Sequence, residues 1–370
     1  MKTGFTTGSC SAAAAKAAAY MLLGGNRIRK IRIETPAGIP CEMEIRDVQV
    51  REEEVSCAVR KYAGDDPDVT DGALIAASVS VVGDGKGEVF IEGGEGVGTV
   101  TRPGLDQPVG NAAINSVPRS MIKKEVKEVM HLMGFTDSLR AVISVPEGRK
   151  LAEQTFNPRL GIVGGISIIG TKGIVEPMSK TALLETIRVE LRQRRAEGAE
   201  IAVVSPGNYG LEFMKRQYDY DLDLAVKCSN FIGDTIDMAG ELGFKRMLLV
   251  GHIGKLVKVS GGIMNTHSRE ADSRMELLAA AAVRAHAPEE TVLAVLDALT
   301  TEEAYRHLAD AGIEKKCSAY LMERIAYYLN RRACPELEVQ CMVYSNERGL
   351  LGKTELAEQW LAETKAGRAP

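Results

Sequence analysis

Aromatic side chains make up only 5% of this 370-residue chain, with a single tryptophan, and the formal net charge is just -4. Nucleic-acid binders need a basic stripe or stacking platforms, so nucleic acid is excluded as the principal partner. Histidine is rare, at five residues, and neither His252 nor His267 sits in an H-x-x-x-H or C-x-x-C setting. No metal site is expected. The seven cysteines (Cys10, Cys41, Cys57, Cys228, Cys317, Cys334, Cys341) are an odd set without a C-x-x-C pair. That excludes a disulfide framework and a zinc knuckle, and makes a reducing cytoplasm the expected compartment. No apolar run approaches the roughly 20 residues that span a bilayer, so no membrane partner is expected. The alanine-rich run from Ser11 to Leu23 behind Lys2 has the look of a signal peptide, but Lys16 interrupts it and Thr6-Thr7-Gly8-Ser9 is a polar helix start. A chain without a leader is the expectation.

With 45% hydrophobic and 26% charged residues, the chain can bury an ample core and divide into two domains. A homo-oligomer stays open. A first helix is expected at residues 9–23, closed by Gly24-Gly25. Alternation of Ile31 and Ile33 with Lys30, Arg32 and Glu34 predicts a strand, and Pro36-Ala37-Gly38 a turn into its return strand around Met43, Ile45 and Val48. Further strands are expected at 55–59, 73–82, 88–92 and 139–145, with a helix from Pro118 to Gly134 between the last two. Residues 1–157 therefore read as an α+β domain with a mostly antiparallel sheet. From Asn157-Pro158 the rhythm becomes strands alternating with longer helices, so 158–345 reads as an α/β domain with a parallel sheet and a helical C-terminal part. Its strands are expected at 160–169, 201–205, 224–227, 247–251 and 338–344, and 346–370 is left as a tail.

Several segments have the composition of binding sites. Thr6-Thr7-Gly8-Ser9-Cys10-Ser11 opens the alanine helix with hydroxyls and small residues, which can expose backbone N–H groups to a carboxylate or phosphate. An ordinary capped helix is the competing reading. Gly93-Gly94-Glu95-Gly96-Val97-Gly98 follows a strand, with Arg102 close behind, and allows either a ligand close to the backbone or a tight bend. It satisfies neither the dinucleotide fingerprint nor the phosphate-loop pattern. Loops of one type then follow the candidate parallel strands: Gly170-Thr171-Lys172-Gly173, Pro206-Gly207-Asn208-Tyr209-Gly210, Ser229-Asn230-Phe231-Ile232-Gly233-Asp234 and Gly251-His252-Ile253-Gly254-Lys255. Ligands of open α/β sheets bind outside the carboxyl ends of strands, and these residues suit a nucleoside with an amino-acid tail. His252 or His267 is a candidate acid, base or orienting group.

The same segments resemble the cobalt-precorrin-5B C(1)-methyltransferase (CbiD) family. The resemblance runs through Thr3-Gly4-Phe5-Thr6-Thr7-Gly8-Ser9-Cys10, Gly94-Glu95-Gly96-Val97-Gly98 with Thr101-Arg102-Pro103-Gly104, and Asn157-Pro158-Arg159-Leu160-Gly161. It continues through Gly164-Gly165-Ile166-Ser167-Ile168-Ile169-Gly170-Thr171 to Pro177-Met178-Ser179, Pro206 to Gly210, Gly251 to Lys255 and Asn265-Thr266-His267-Ser268-Arg269. No such block appears after about residue 330. The resemblance implies S-adenosylmethionine-dependent methylation of C(1) of a cobalt-containing tetrapyrrole in anaerobic cobalamin biosynthesis, giving cobalt-precorrin-6A, on a two-domain fold.

On that footing the methyl donor is expected at the second domain's strand ends, held by Gly207, Asn208, Gly210, Asn230, Asp234 and Gly251. The macrocycle carboxylates are expected on the first domain's side, held by Thr6, Thr7, Gly8, Ser9, Lys16, Arg102, Arg159, Lys255 and Arg269, because anionic substituents need many donors. His252 is the candidate catalytic residue. Two rivals remain: a small-molecule kinase using the glycine-rich loop, and a non-catalytic tetrapyrrole-binding protein.

Overall fold

A helix of alanine and serine can be buried on every side, because nothing on it holds its neighbours at a distance. The computed structural model, which describes residues 2–177, 179–207, 211–220 and 225–366, contains one. The chain divides into two units, Met1–Ala182 and Leu183–Pro370.

The first unit begins with β1 (Gly4–Phe5) and the alanine helix α1 (Thr7–Gly24), in which Ala12, Ala13, Ala14, Ala15, Ala17, Ala18 and Ala19 are all fully buried. Gly25, at φ 69°, ends it in the left-handed conformation with its N–H bonded to the Met21 carbonyl. Then follow β2 (Lys30–Glu34), β3 (Pro40–Val50), β4 (Glu54–Arg60), β5 (Leu74–Val82), β6 (Val89–Gly93), β7 (Thr99–Val100), α2 (Ser116–Leu132), β8 (Ser138–Ser144), α3 (Gly148–Ala152), β9 (Ile162–Val163) and β10 (Ile174–Val175). The sheet runs in the order β2-β3-β4-β5-β8-β6, antiparallel except for β6 against β8. Cross-strand partners Cys57 and Ala77, Val59 and Ile75, and Ala77 and Ile143 are buried in one core with α1, as period-2 alternation requires. Lys16 is the charged interruption in α1. Its Nζ donates to Glu125 Oε2 at 2.6 Å and Glu128 Oε2 at 3.1 Å, tying α1 to α2.

Beyond Asn157 the expected long strand does not form. Positive φ at Gly161 (75°) and Gly164 (86°) breaks the run, leaving β9 antiparallel to β7 and single bridges at Val97–Ile166 and Ile114–Ile168. Residues 158–182 thus pack with the first unit, and the divide falls after Ala182 instead of at 157.

The second unit is built from α4 (Lys180–Ala196), β11 (Ile201–Ser205), α5 (Leu211–Tyr218), β12 (Val226–Lys227), α6 (Ile232–Glu241), β13 (Arg246–His252), α7 (Ile253–Val259), α8 (Arg274–Arg284), α9 (Glu289–Asp297), α10 (Thr301–Asp310), α11 (Glu314–Arg332), β14 (Glu338–Ser345), β15 (Gly349–Lys353) and α12 (Ala357–Ala366). Its sheet order is β12-β11-β13-β14-β15, parallel except for β15. Leu224, expected in the strand that is β12, lies outside the described residues. The strands are continuous apolar runs because both faces are covered. Met247, Leu249, Cys341 and Val343 pack in a core with residues of α6, α7, α8, α10 and α11, whereas Leu248, Val250 and Met342 pack with Phe213, Met214, Trp360 and Leu361. Trp360 and Leu361 show that the segment expected as a tail supplies one wall of this core.

Candidate active site

Neighbouring parallel strands β11 and β13 send their chains in opposite directions, β11 towards β12 and β13 towards β14. Such a divergence opens a crevice at the carboxyl ends of the strands. A cavity of about 300 Å³ lies there, entirely within the second unit. Pro206 and Gly207 line it from the end of β11, His252, Gly254 and Lys255 from the end of β13, and Tyr344 from β14. Arg274 and the start of α10, Thr300 to Glu302, complete the wall.

Local sequence explains how these groups are presented. A Cβ on Gly251 would stand 2.9 Å from Leu256 Cδ1 and 3.0 Å from Pro206 Cγ, so this glycine lets α7 turn back at once under the end of β11. His252 caps α7, its Nδ1 accepting the Gly254 N–H at 3.0 Å. Its Nε2 therefore carries the proton of the neutral ring. That atom faces Glu302 Oε1 at 3.3 Å, near enough for attraction but not aligned as a hydrogen bond. Burial pushes the His252 pKa below the usual value, outweighing the pull of Glu302 in the other direction. The ring has no idle lone pair, so of the roles expected for it, acid, base and orienting group, the geometry suits orientation over base.

Glu302 lies in the first turn of α10, whose N-cap Thr300 accepts the Glu303 N–H at 3.2 Å. Both its carboxylate oxygens stand 2.7 Å from Ser345 Oγ, the hydroxyl that closes β14. Sequence reasoning missed Glu302. The pattern Thr300-x-x-Glu303 marks a helix start, but nothing local says that this start meets the ends of β13 and β14. Lys255 Nζ donates to the carbonyls of Pro206 at 2.5 Å and Ser229 at 3.3 Å, tying the loops after β11 and β12. Its pKa is lowered, chiefly by burial. Arg274 grips Asp272 through two bonds of 2.7 and 2.9 Å.

Of the residues expected at the donor site, Gly207 lines the cavity and Gly251 supports it, while Asn208 and Gly210 lie outside the described residues. Asn230 is engaged instead with Thr266, its carbonyl accepting the Thr266 N–H at 3.0 Å. Asp234 sits in the first turn of α6, and neither it nor Asn230 is among the described lining residues. Arg269 is exposed, its backbone N–H bonded to His267 Nδ1 at 3.0 Å.

The first unit corrects more of the expectations. Thr6 caps α1 by accepting the Ser9 N–H at 3.2 Å, yet the remaining donors turn inward. The Gly8 N–H and Thr7 Oγ1 both bond to the Ile169 carbonyl, and Ser9 Oγ bonds to that of Gly173 at 2.6 Å. The loop Gly170 to Gly173, expected at a parallel strand end, thus seals the helix start expected to hold carboxylates. Cys10 beside it is buried, which pushes its thiol up to about 12. Lys16, committed to Glu125 and Glu128, is likewise closed within the unit.

The glycine-rich loop is closed in the same way. Gly96 has φ 70°, and a Cβ on it would lie 1.8 Å from the Val145 carbonyl oxygen. Cβ atoms on Gly148 or Gly165 would each lie 2.1 Å from the Gly96 carbonyl oxygen. Three backbone segments cross here in contact, leaving no cradle for a phosphate, and the kinase reading loses its only support. Arg102 and Arg159 do come together: Arg102 Nη1 reaches the Arg159 carbonyl at 3.4 Å, and its side chain lies over Gly161. Among the described residues no helix is long and apolar enough to cross a membrane.

Comparison with known proteins reaches both units. The family model described as CbiD matches residues 1–177, and that described as CbiD, C-terminal domain, matches residues 265–355. The second match extends the shared pattern past residue 330, beyond the last of the resembling blocks. The cobalt-precorrin-5B C(1)-methyltransferase of Ruminiclostridium cellulolyticum is 46% identical over 346 residues, 94% of this chain and 89% of the relative. That of Alkaliphilus metalliredigens is 43% identical, over 99% of this chain and 96% of its own. A crystal structure of cobalamin biosynthesis protein (cbiD) from Archaeoglobus fulgidus is 26% identical, covering 74% of this chain and 84% of that one with a TM-score of 0.40, too low to weigh in reading the fold. Relatives this similar across nearly the whole length leave one assignment: the chain belongs to the CbiD family.

Proposed function

We propose that this protein methylates C(1) of the cobalt-containing tetrapyrrole cobalt-precorrin-5B, giving cobalt-precorrin-6A in cobalamin biosynthesis, with S-adenosylmethionine as methyl donor. Its relatives carry the methyltransferase name across both units, which favours an enzyme over a tetrapyrrole carrier. The observation that supports the donor site is the cavity where β11 and β13 part. At about 300 Å³ it lies at the small end of small-molecule pockets, which run from roughly 300 to 1,000 Å³. Pro206 and Gly207 in the wall, the Tyr344 ring and the opposite charges of Lys255 and Glu302 fit an adenosyl amino acid. Gly207, Tyr344, Lys255 and Glu302 would hold it, with Asn208 and Gly210 next along the chain.

S-adenosylmethionine supplies a methyl group already activated on a sulfonium. The protein's work is then alignment and the exclusion of water, more than acid–base chemistry. His252, neutral and held at Nδ1 by the Gly254 N–H, orients the start of α7 and sets its Nε2 beside the carboxylate of Glu302. On the first unit, Arg102 and Arg159 would pair with macrocycle carboxylates through bidentate bonds. Incubating the chain with the cobalt precursor and methyl-labelled S-adenosylmethionine tests the whole reading. A tetrapyrrole product carrying one labelled methyl at C(1), by mass spectrometry and NMR, is expected. An unlabelled product, or label at another carbon, would sink it.

A further inference from the structure

Two charged side chains line the strand-end cavity with no opposite charge paired to them among the described residues. Glu302 has no Lys or Arg within ion-pair distance among the described residues. A carboxylate offers about four acceptor sites. Ser345 has a single hydroxyl proton to share between the two oxygens, and the His252 N–H is misaligned, so acceptor capacity remains. Lys255 is the mirror case. Its ammonium meets the carbonyls of Pro206 and Ser229 but, among the described residues, no carboxylate, and those two bonds leave one of its three N–H groups over.

These two groups do not pair with each other although both line one cavity, because each is fixed by its own scaffold. Lys255 is pinned to two loop carbonyls and Glu302 to the end of β14. The third charged lining residue, Arg274, is already matched by Asp272. An uncompensated charge in a half-buried site is costly, and the cost falls when a ligand brings the missing partner. A fixed cation and a fixed anion held apart in one small cavity are complementary to a zwitterion.

We propose that this cavity seats the α-amino-acid end of the methyl donor, with Glu302 accepting from its ammonium group and Lys255 donating to its carboxylate. The inference rests on the donor-site reading and deepens it by dividing the ligand into an end that the charges recognise and a nucleoside that they do not. The lowered pKa of Lys255 agrees with an ammonium short of a counter-charge.

Calorimetry on the full chain with two probes tests it: S-adenosylhomocysteine, and 5′-methylthioadenosine, which keeps the nucleoside thioether but lacks the amino-acid end. Wild type is expected to bind the first at least tenfold more tightly. Glu302→Gln keeps the shape and the Ser345 contact while removing the charge. It should weaken S-adenosylhomocysteine about tenfold and change 5′-methylthioadenosine less than twofold. Lys255→Met should show the same selectivity, with circular dichroism confirming that the loops it ties remain folded. Equal losses for both probes would assign Glu302 to the nucleoside and overturn the proposal with the donor site intact. So would an unchanged Glu302→Gln variant beside a Gly207→Asp variant that no longer binds. If Gly207→Asp binds S-adenosylhomocysteine as wild type does, the donor-site reading itself fails.

Discussion

In the first unit Gly96 lies against a carbonyl oxygen of its own chain, whereas in the second unit Gly207 borders an open cavity. The contrast extends to hydroxyls and cations. Thr7 and Ser9 at the start of α1 bond to the backbone of residues 169 and 173, and Lys16 is paired with Glu125. At the strand ends of the second unit, Lys255 and Glu302 keep capacity for a ligand. The two units contain the same residue types that accommodate ligands, but among the described residues those at the start of α1 are taken up by the fold, whereas Lys255 and Glu302 keep bonding capacity beside a cavity. The reason lies in topology. The first unit's connections cross one another on a mostly antiparallel sheet, so glycine permits backbone contact. The second unit's connections diverge from neighbouring parallel strands, so glycine there borders space.

The comparison breaks most severely at Gly96. Replacing it with alanine would place a methyl group 1.8 Å from the Val145 oxygen at a φ of 70°. A loss of about 4 kcal/mol of stability, in the exceptional range for one substitution, is expected in chemical denaturation. A loss below about 1 kcal/mol would mean that the crossing is loose enough to admit a ligand. Next comes a pair of cations that sequence alone treated alike. Lys16→Met removes the partner of Glu125, whose side chain is 2% exposed, and should cost about 3 kcal/mol while leaving KM for the tetrapyrrole unchanged. Arg102→Ala on the surface should do the reverse, with stability within about 0.5 kcal/mol of wild type and KM several-fold higher. If Lys16→Met raised KM in folded protein, the division between internal and ligand-facing cations would be wrong.

The smallest expected effect is a pH dependence at His252. Its folded pKa is depressed by burial, so the neutral ring is favoured in the native state. Its contribution to stability is therefore present above the unfolded value of about 6.5 and lost as pH falls through that value towards the folded one. Denaturation midpoints between pH 7.5 and 5 should decline, and His252→Gln should flatten part of that decline. An identical slope in the variant would show that the ring is not held neutral.

Much of the secondary structure was legible because it rests on local physics. Strand alternation at Ile31 and Ile33, apolar runs at 201–205 and 247–251, and the caps around α1 all follow from side-chain direction and backbone donors close in sequence. The region from 160 to 170 misled because its apolar composition suits a strand while its glycines take positive φ. The final segment looked like a tail because the face that Trp360 buries belongs to strands far away in the chain.

The sequence by itself determined the family, the order of most elements and the strand-end region where a donor site was expected, since these depend on motifs and periodicities of a few residues. Tertiary structure alone decided which polar groups remain open to a ligand. It closed the start of α1 with the carbonyls of Ile169 and Gly173, and it carried Glu302 to the end of β13. Whether a hydrogen-bonding group is satisfied depends on what the fold brings against it, and neither the residue nor its neighbours in sequence encode that.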